Sequence, residues 1–110
     1  MRAIEFIEIP IFTRQFQLLA SDDELRKLQL DLIANSLQGR LISNTGGLRK
    51  IRIALPNQGK RGSLRVIYLP VGVERIYLIY AYQKNDKDDL SIQEKLILKK
   101  LVVELKGEAE

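Results

Sequence analysis

The sequence predicts an α+β domain, on three observations. Apolar and polar residues alternate in "AIEFIEIPIF" near the N-terminus. Two Ser-x-x-Glu boxes, "SDDE" and "SIQE", open runs of helical spacing. Three β-rich runs, "LRKIRIAL", "LRVIYL" and "RIYLIYAY", succeed one another across short turn signals. The order is strand, helix, helix, three strands, helix, and the expected arrangement places the helices on one face of the sheet.

Each element has a local reason. The alternation of "AIEFIEIPIF" suits a strand, and Pro10, which cannot donate to a ladder, marks an edge or a strand end. Ile11, Phe12, Phe16 and Leu19 then fit helical spacing. Ser21 offers an N-cap oxygen and Glu24 its reciprocal partner, with Asp22 and Asp23 favourable against the helix dipole. Leu25, Leu28, Leu32, Ile33 and Leu37 form the apolar stripe of this second helix, and Gly39 is the expected terminator. The two helices make an antiparallel hairpin.

"NTGG" is a turn signal, after which Ile51 and Ile53 point to one side and Lys50 and Arg52 to the other. "PNQGKRGS" reads as a loop, "LRVIYL" as a strand apolar on both faces, "PVGVE" as a turn and "RIYLIYAY" as the last strand. Short links make these three an antiparallel meander. Ser91 opens a final helix reaching about Lys106, with Ile92, Leu96, Ile97, Leu101 and Leu105 available for packing.

At 110 residues the chain has the length of one domain, residues 1–110, with one modest core. A hydrophobic content of 45% and a charged content of 29% place it among soluble globular proteins. The absence of Cys excludes a thiolate nucleophile, a disulfide framework and a Cys-rich zinc site. The absence of His removes the usual general base, so acid–base chemistry falls to Lys, Arg, Tyr or carboxylates. "MRAIEFIEIPIF" carries acids within its apolar run, and no window approaches the ~18 apolar residues of a membrane span. The expected location is the cytoplasm, with no membrane partner.

The net charge of +4 is unevenly placed. Between Leu32 and Val73 stand seven basic residues, Arg40, Arg49, Lys50, Arg52, Lys60, Arg61 and Arg65, and no acid. That asymmetry implies a local positive field of the kind that attracts phosphate backbones. Lys supplies a point charge and Arg a planar fork for phosphate oxygens. Gly59 and Gly62 flank Lys60 and Arg61, but "GKRGS" has neither the spacing nor the following helix of a P-loop. Tyr77 and Tyr80 read as core, with the Tyr80 hydroxyl at the rim, whereas Tyr82, beside Lys84, is a candidate for stacking on an RNA base. Asp86, Asp88 and Asp89 lack the pattern of an EF-hand loop and read as turn formers and helix N-terminal charge. No cofactor and no metal are expected.

"TGGLRKIRI", "GKRGSLRVIY" and "YAYQKNDKDDLSIQE" resemble the matching segments of RelE/HigB-type toxins of bacterial type II toxin–antitoxin systems, over about Ile4 to Leu105. The GKRG-x-x-R-[VI]-I-Y pattern followed by Y-x-K-N is similar to the HigB-like branch. The resemblance implies a RelE-like fold and a ribosome-dependent endoribonuclease, an mRNA interferase that cleaves mRNA in the ribosomal A site and inhibits translation. It implies as partners the ribosome, mRNA and a cognate antitoxin, a HigA-like helix-turn-helix DNA-binding protein. Carried over by position, Lys50, Arg52, Arg65 and Lys84 are the catalytic candidates, with Lys50 the choice for general base. Lys60, Arg61, Arg49 and Tyr82 are the candidates for gripping RNA. A ParE-like gyrase poison sharing the fold and a non-catalytic RNA-binding module are the competing readings; the Lys50, Arg52, Arg65 and Lys84 cations argue against the gyrase poison, which has no need of them, and the binding module is told apart by RNA binding that depends on Lys50 or Arg65 without cleavage.

Overall fold

Eight elements make up residues 3–55, 63–83 and 89–109, the residues described by this computed structural model. They are β1 (Glu5–Glu8), α1 (Pro10–Leu19), α2 (Asp22–Ala34), β2 (Arg40–Leu41), β3 (Arg49–Ile53), β4 (Leu64–Val71), β5 (Arg75–Gln83) and α3 (Ile92–Ala109). The sheet runs β1-β5-β4-β3-β2, with β1 parallel to β5 and every other pair antiparallel. The meander β3-β4-β5 is as expected, and β1 is an edge strand. Pro10 stands at the start of α1, where its missing N–H is one the helix would leave unbonded anyway.

Phe12 and Phe16, one helical turn apart, bury against the sheet with ring centroids 5.2 Å apart. β1 stops at Glu8 while β5 continues, and there the Gln15 side-chain oxygen accepts the Ala81 N–H at 3.1 Å, satisfying a donor that has no neighbouring strand. Both Ser21 and Ser91 form the expected boxes. Each hydroxyl accepts from the backbone N–H of Glu24 or Glu94, and each glutamate accepts the serine N–H in return.

Gly39 is not the terminator of α2. The helix ends at Ala34, and Gln38 Nε2 donates to the carbonyls of Asp31 and Asn35, which already accept the backbone N–H groups of Asn35 and Gln38, so a second bond at each oxygen fastens the helix end. Gly39 is instead required by close approach: a Cβ there would lie 2.7 Å from Tyr68 Cε1 and 3.0 Å from the Lys50 carbonyl. The α2 stripe is also narrower than expected, with Leu28 and Leu32 buried and Ile33 and Leu37 largely exposed.

The expectation that the helices share one face is corrected. Leu64, Val66 and Tyr68 of β4 join Phe12, Phe16, Leu28 and Leu32 in one core, whereas Ile67 and Leu69 join Val102 and Leu105 of α3 in another. α1 and α2 therefore cover one face and α3 the other. β4 is apolar on both sides, and burying both requires cover on both. α3 packs through Leu98, Leu101, Val102 and Leu105, which leaves Ile92, Leu96 and Ile97 on its outer side.

Two long-range features position the site. In β5 the register shifts so that Ile67 pairs with Tyr80 but Tyr68 with Leu78, making Ile79 the extra residue of a bulge. Tyr77, Ile79, Tyr80 and Tyr82 consequently all serve the α3 side. The "NTGG" turn carries Asn44, Gly46 and Gly47 at φ of 62°, 80° and 120° and returns the chain from β2 into β3. Lys106 Nζ donates to the Gly46 carbonyl, tying the end of α3 to this turn. Among the described residues no helix is long and apolar enough to cross a membrane.

Candidate functional site

Alternation along β3 sends Lys50 and Arg52 to the α3 side and Arg49, Ile51 and Ile53 to the other. Pairing then assembles a cluster from three strands. Arg40 of β2 lies opposite Lys50, and Arg65 of β4 lies opposite Arg52. The four side chains line an open cleft of about 260 Å³ on the part of the sheet that α3 leaves uncovered. Lys50, Arg52 and Arg65 are thus brought together, with Arg40 beside them.

Local bonds orient the cluster. Arg65 Nη1 donates to the Oγ of buried Ser63 at 2.8 Å. Lys50 Nζ lies 3.4 Å from Asp89 Oδ1, and Lys95 Nζ lies 3.7 Å from Asp89 Oδ2. Asp89 Oδ1 also accepts the Leu90 N–H at 2.8 Å, just before α3 begins. Partial burial pushes the Asp89 carboxyl upward, but the Leu90 N–H and the charges of Lys50 and Lys95 outweigh it and hold the group below the ordinary carboxylate range. Among the described residues no carboxylate comes within ion-pair distance of Arg40, Arg52 or Arg65. No three metal-ligating side chains gather among those residues, and four cations in one cleft suit an anion.

Two sequence candidates have other work. Arg49 points away from the cleft, and its Nη1 donates to the carbonyls of Leu37 at 2.9 Å and Gly39 at 2.8 Å, so it clamps the α2–β2 connection rather than reaching outward. Tyr82 is only 4% exposed and packs 5.9 Å from the Tyr80 ring within the α3-side core, so neither face is free for a base; the bulge and α3 bury it. Tyr77 and Tyr80 behave as expected, the Tyr80 hydroxyl donating to Glu94 Oε2 at the rim. Lys60, Arg61 and Lys84 lie outside the described residues, as do Gly59, Gly62, Asp86 and Asp88.

Arg40 and Asp89 are the residues that sequence reasoning passed over. Arg40 stands within the acid-free window, but a two-residue strand has no periodicity to assign it a face. Asp89 does the expected local work on Leu90, and its contact with Lys50, 39 positions away, has no local signature.

A family model of the RelE toxin of the RelE/RelB toxin–antitoxin system matches residues 10–110. The chain belongs to this family. It is a RelE-type toxin of a toxin–antitoxin system, and that membership implies a cognate antitoxin as its partner. The matched span holds all four cleft cations and leaves β1 outside. Its fold is similar to that of the E. coli toxin RelE, in a free-state structure of a mutant with two arginines replaced by alanine. The two share 12% identity at a TM-score of 0.61, over 88% of this chain and 97% of that one.

Proposed function

We propose that this RelE-type toxin is a ribosome-dependent mRNA endonuclease of the HigB-like branch, cleaving mRNA in the ribosomal A site and so inhibiting translation. The cleft of Arg40, Lys50, Arg52 and Arg65 is the observation that carries the reading. Cleavage of RNA by its own 2′-hydroxyl needs a base for the hydroxyl proton, positive charge for the phosphorane-like transition state and an acid for the leaving 5′-oxygen. Side chains alone can supply these parts, leaving a 2′,3′-cyclic or 3′-phosphate. Lys50 is the choice for base, because an amine can give up a proton that a guanidinium retains. Arg52 and Arg65, directly opposed across β3 and β4, stabilise the phosphate charge together with Arg40. Lys84 belongs to the same catalytic set, and Lys60 and Arg61 grip the RNA backbone or ribosomal RNA. The antitoxin is HigA-like in this reading.

The test is a reconstituted translation system with primer extension on the mRNA. The wild-type chain should cut within the reading frame only when ribosomes are translating. Lys50→Ala and Arg65→Ala should each lower the cleavage rate about 10²–10³-fold, the usual effect of removing one transition-state donor. Translation that stalls on intact mRNA, or toxicity unchanged in the double variant, overturns the reading.

A further inference from the structure

Of the four cleft cations, Lys50 alone has a carboxylate beside it among the described residues, and that carboxylate is held from three sides. The Leu90 N–H fixes Oδ1, Lys50 approaches the same oxygen, and Lys95 of α3 approaches Oδ2. Lys50 is largely shielded, with a side chain 22% exposed, while Asp89 is 54% exposed and has solvent to move into. A carboxylate oxygen and a phosphate oxygen make the same kind of contact with an ammonium group, so Asp89 makes with Lys50 the contact that a phosphate oxygen could make.

We propose that Asp89 is a built-in counter-anion of the cleft: it positions Lys50 toward α3 in the free toxin and competes with an RNA phosphate for that ammonium group. The inference rests on the RNA-cleaving reading of the cleft and adds a residue to it. Asp89 acts through Lys50, so it is a positioning residue, and it sets how tightly the substrate's phosphate is held. The retained negative charge also lowers the positive field of the cleft, which limits its hold on arbitrary polyanions.

A structural role and a competing role predict opposite signs. If Asp89 served only to anchor the start of α3, losing its charge would loosen the cleft and weaken RNA binding. If it competes, losing its charge strengthens binding. The experiment measures fluorescence anisotropy of a labelled single-stranded RNA oligonucleotide with the full-length chain, comparing wild type, Asp89→Asn and Glu104→Gln. Glu104 is exposed on the far half of α3, so its substitution makes the same change in net charge away from the cleft.

Asp89→Asn should bind about threefold or more tightly than wild type, and Glu104→Gln should change affinity less than twofold, because only the first removes a carboxylate from a phosphate site. The gain should vanish in a Lys50→Ala background. Wild-type binding with no gain in Asp89→Asn, a gain matched by Glu104→Gln, or a gain that survives Lys50→Ala overturns the inference and leaves the proposed function standing. No RNA binding by any of the proteins overturns the inference along with the cleft's reading as an RNA site, and ribosome-dependent cleavage then tests the proposed function on its own.

Discussion

At the scale of single residues, Tyr68 carries more structure than its place in a strand suggests. Its hydroxyl donates to the Ser36 carbonyl at 2.8 Å and accepts the Gly39 N–H at 2.9 Å, while Arg49 holds the Leu37 and Gly39 carbonyls beside it. Burial raises the phenol's pKa, offset in part by the Gly39 N–H and the nearby Arg49 charge. This cluster sets where the chain leaves α2 and enters β2, and hence where Arg40 meets Lys50. Tyr68→Phe keeps the ring and removes both bonds, leaving a buried donor unsatisfied, and should cost about 1–3 kcal/mol. Urea unfolding monitored by circular dichroism measures the loss; a midpoint within error of wild type would show that the connection is held without the hydroxyl.

At the scale of elements, α3 is pinned to the sheet at its first turn and again near its end. Glu94 accepts the Ser91 N–H with one oxygen and the Tyr80 hydroxyl with the other, and Asp89 joins the same turn to β3 through Lys50. Ser91→Ala removes the cap and should destabilise the protein by about 1 kcal/mol, with faster hydrogen exchange at the Glu94 amide. Exchange there unchanged from wild type would mean that Glu94 and Asp89 hold the turn unaided. The Ser91 and Ser21 boxes were legible in the sequence because a capping box is complete within four residues. The β3 alternation, which presents Lys50 and Arg52 together, was legible for the same reason. The bulge at Ile79 and the two-residue β2 were not, since each exists only through pairing with a distant strand. The misplaced roles of Arg49 and Tyr82 follow: parity gives a residue a face, but what covers that face is decided by other elements. β4 did carry a readable clue to cover on both sides, its apolar residues at successive positions.

At the scale of the whole molecule, the two-sided sheet divides the chemistry. One face is closed by α1 and α2 over an aromatic and leucine core, while α3 closes only part of the other, and the remainder presents the cations gathered from β2, β3 and β4. Charges of one sign are held together because the strands that carry them are fixed by packing elsewhere, and their mutual repulsion is relieved when an anion enters. The proposed RNA contact should therefore depend steeply on salt. Each phosphate neutralised on a single strand contributes about 0.7 to the slope of log K against log salt, so Arg40→Ala should make that slope shallower by roughly this amount. Arg26→Ala, exposed on α2 behind the opposite face, removes the same charge and should leave the slope unchanged. Anisotropy titrations with single-stranded RNA across a range of NaCl concentrations compare the two. Equal effects would mean that net charge governs binding and that Arg40 makes no phosphate contact. A change confined to Arg40→Ala would extend the RNA-contacting surface from the meander onto β2.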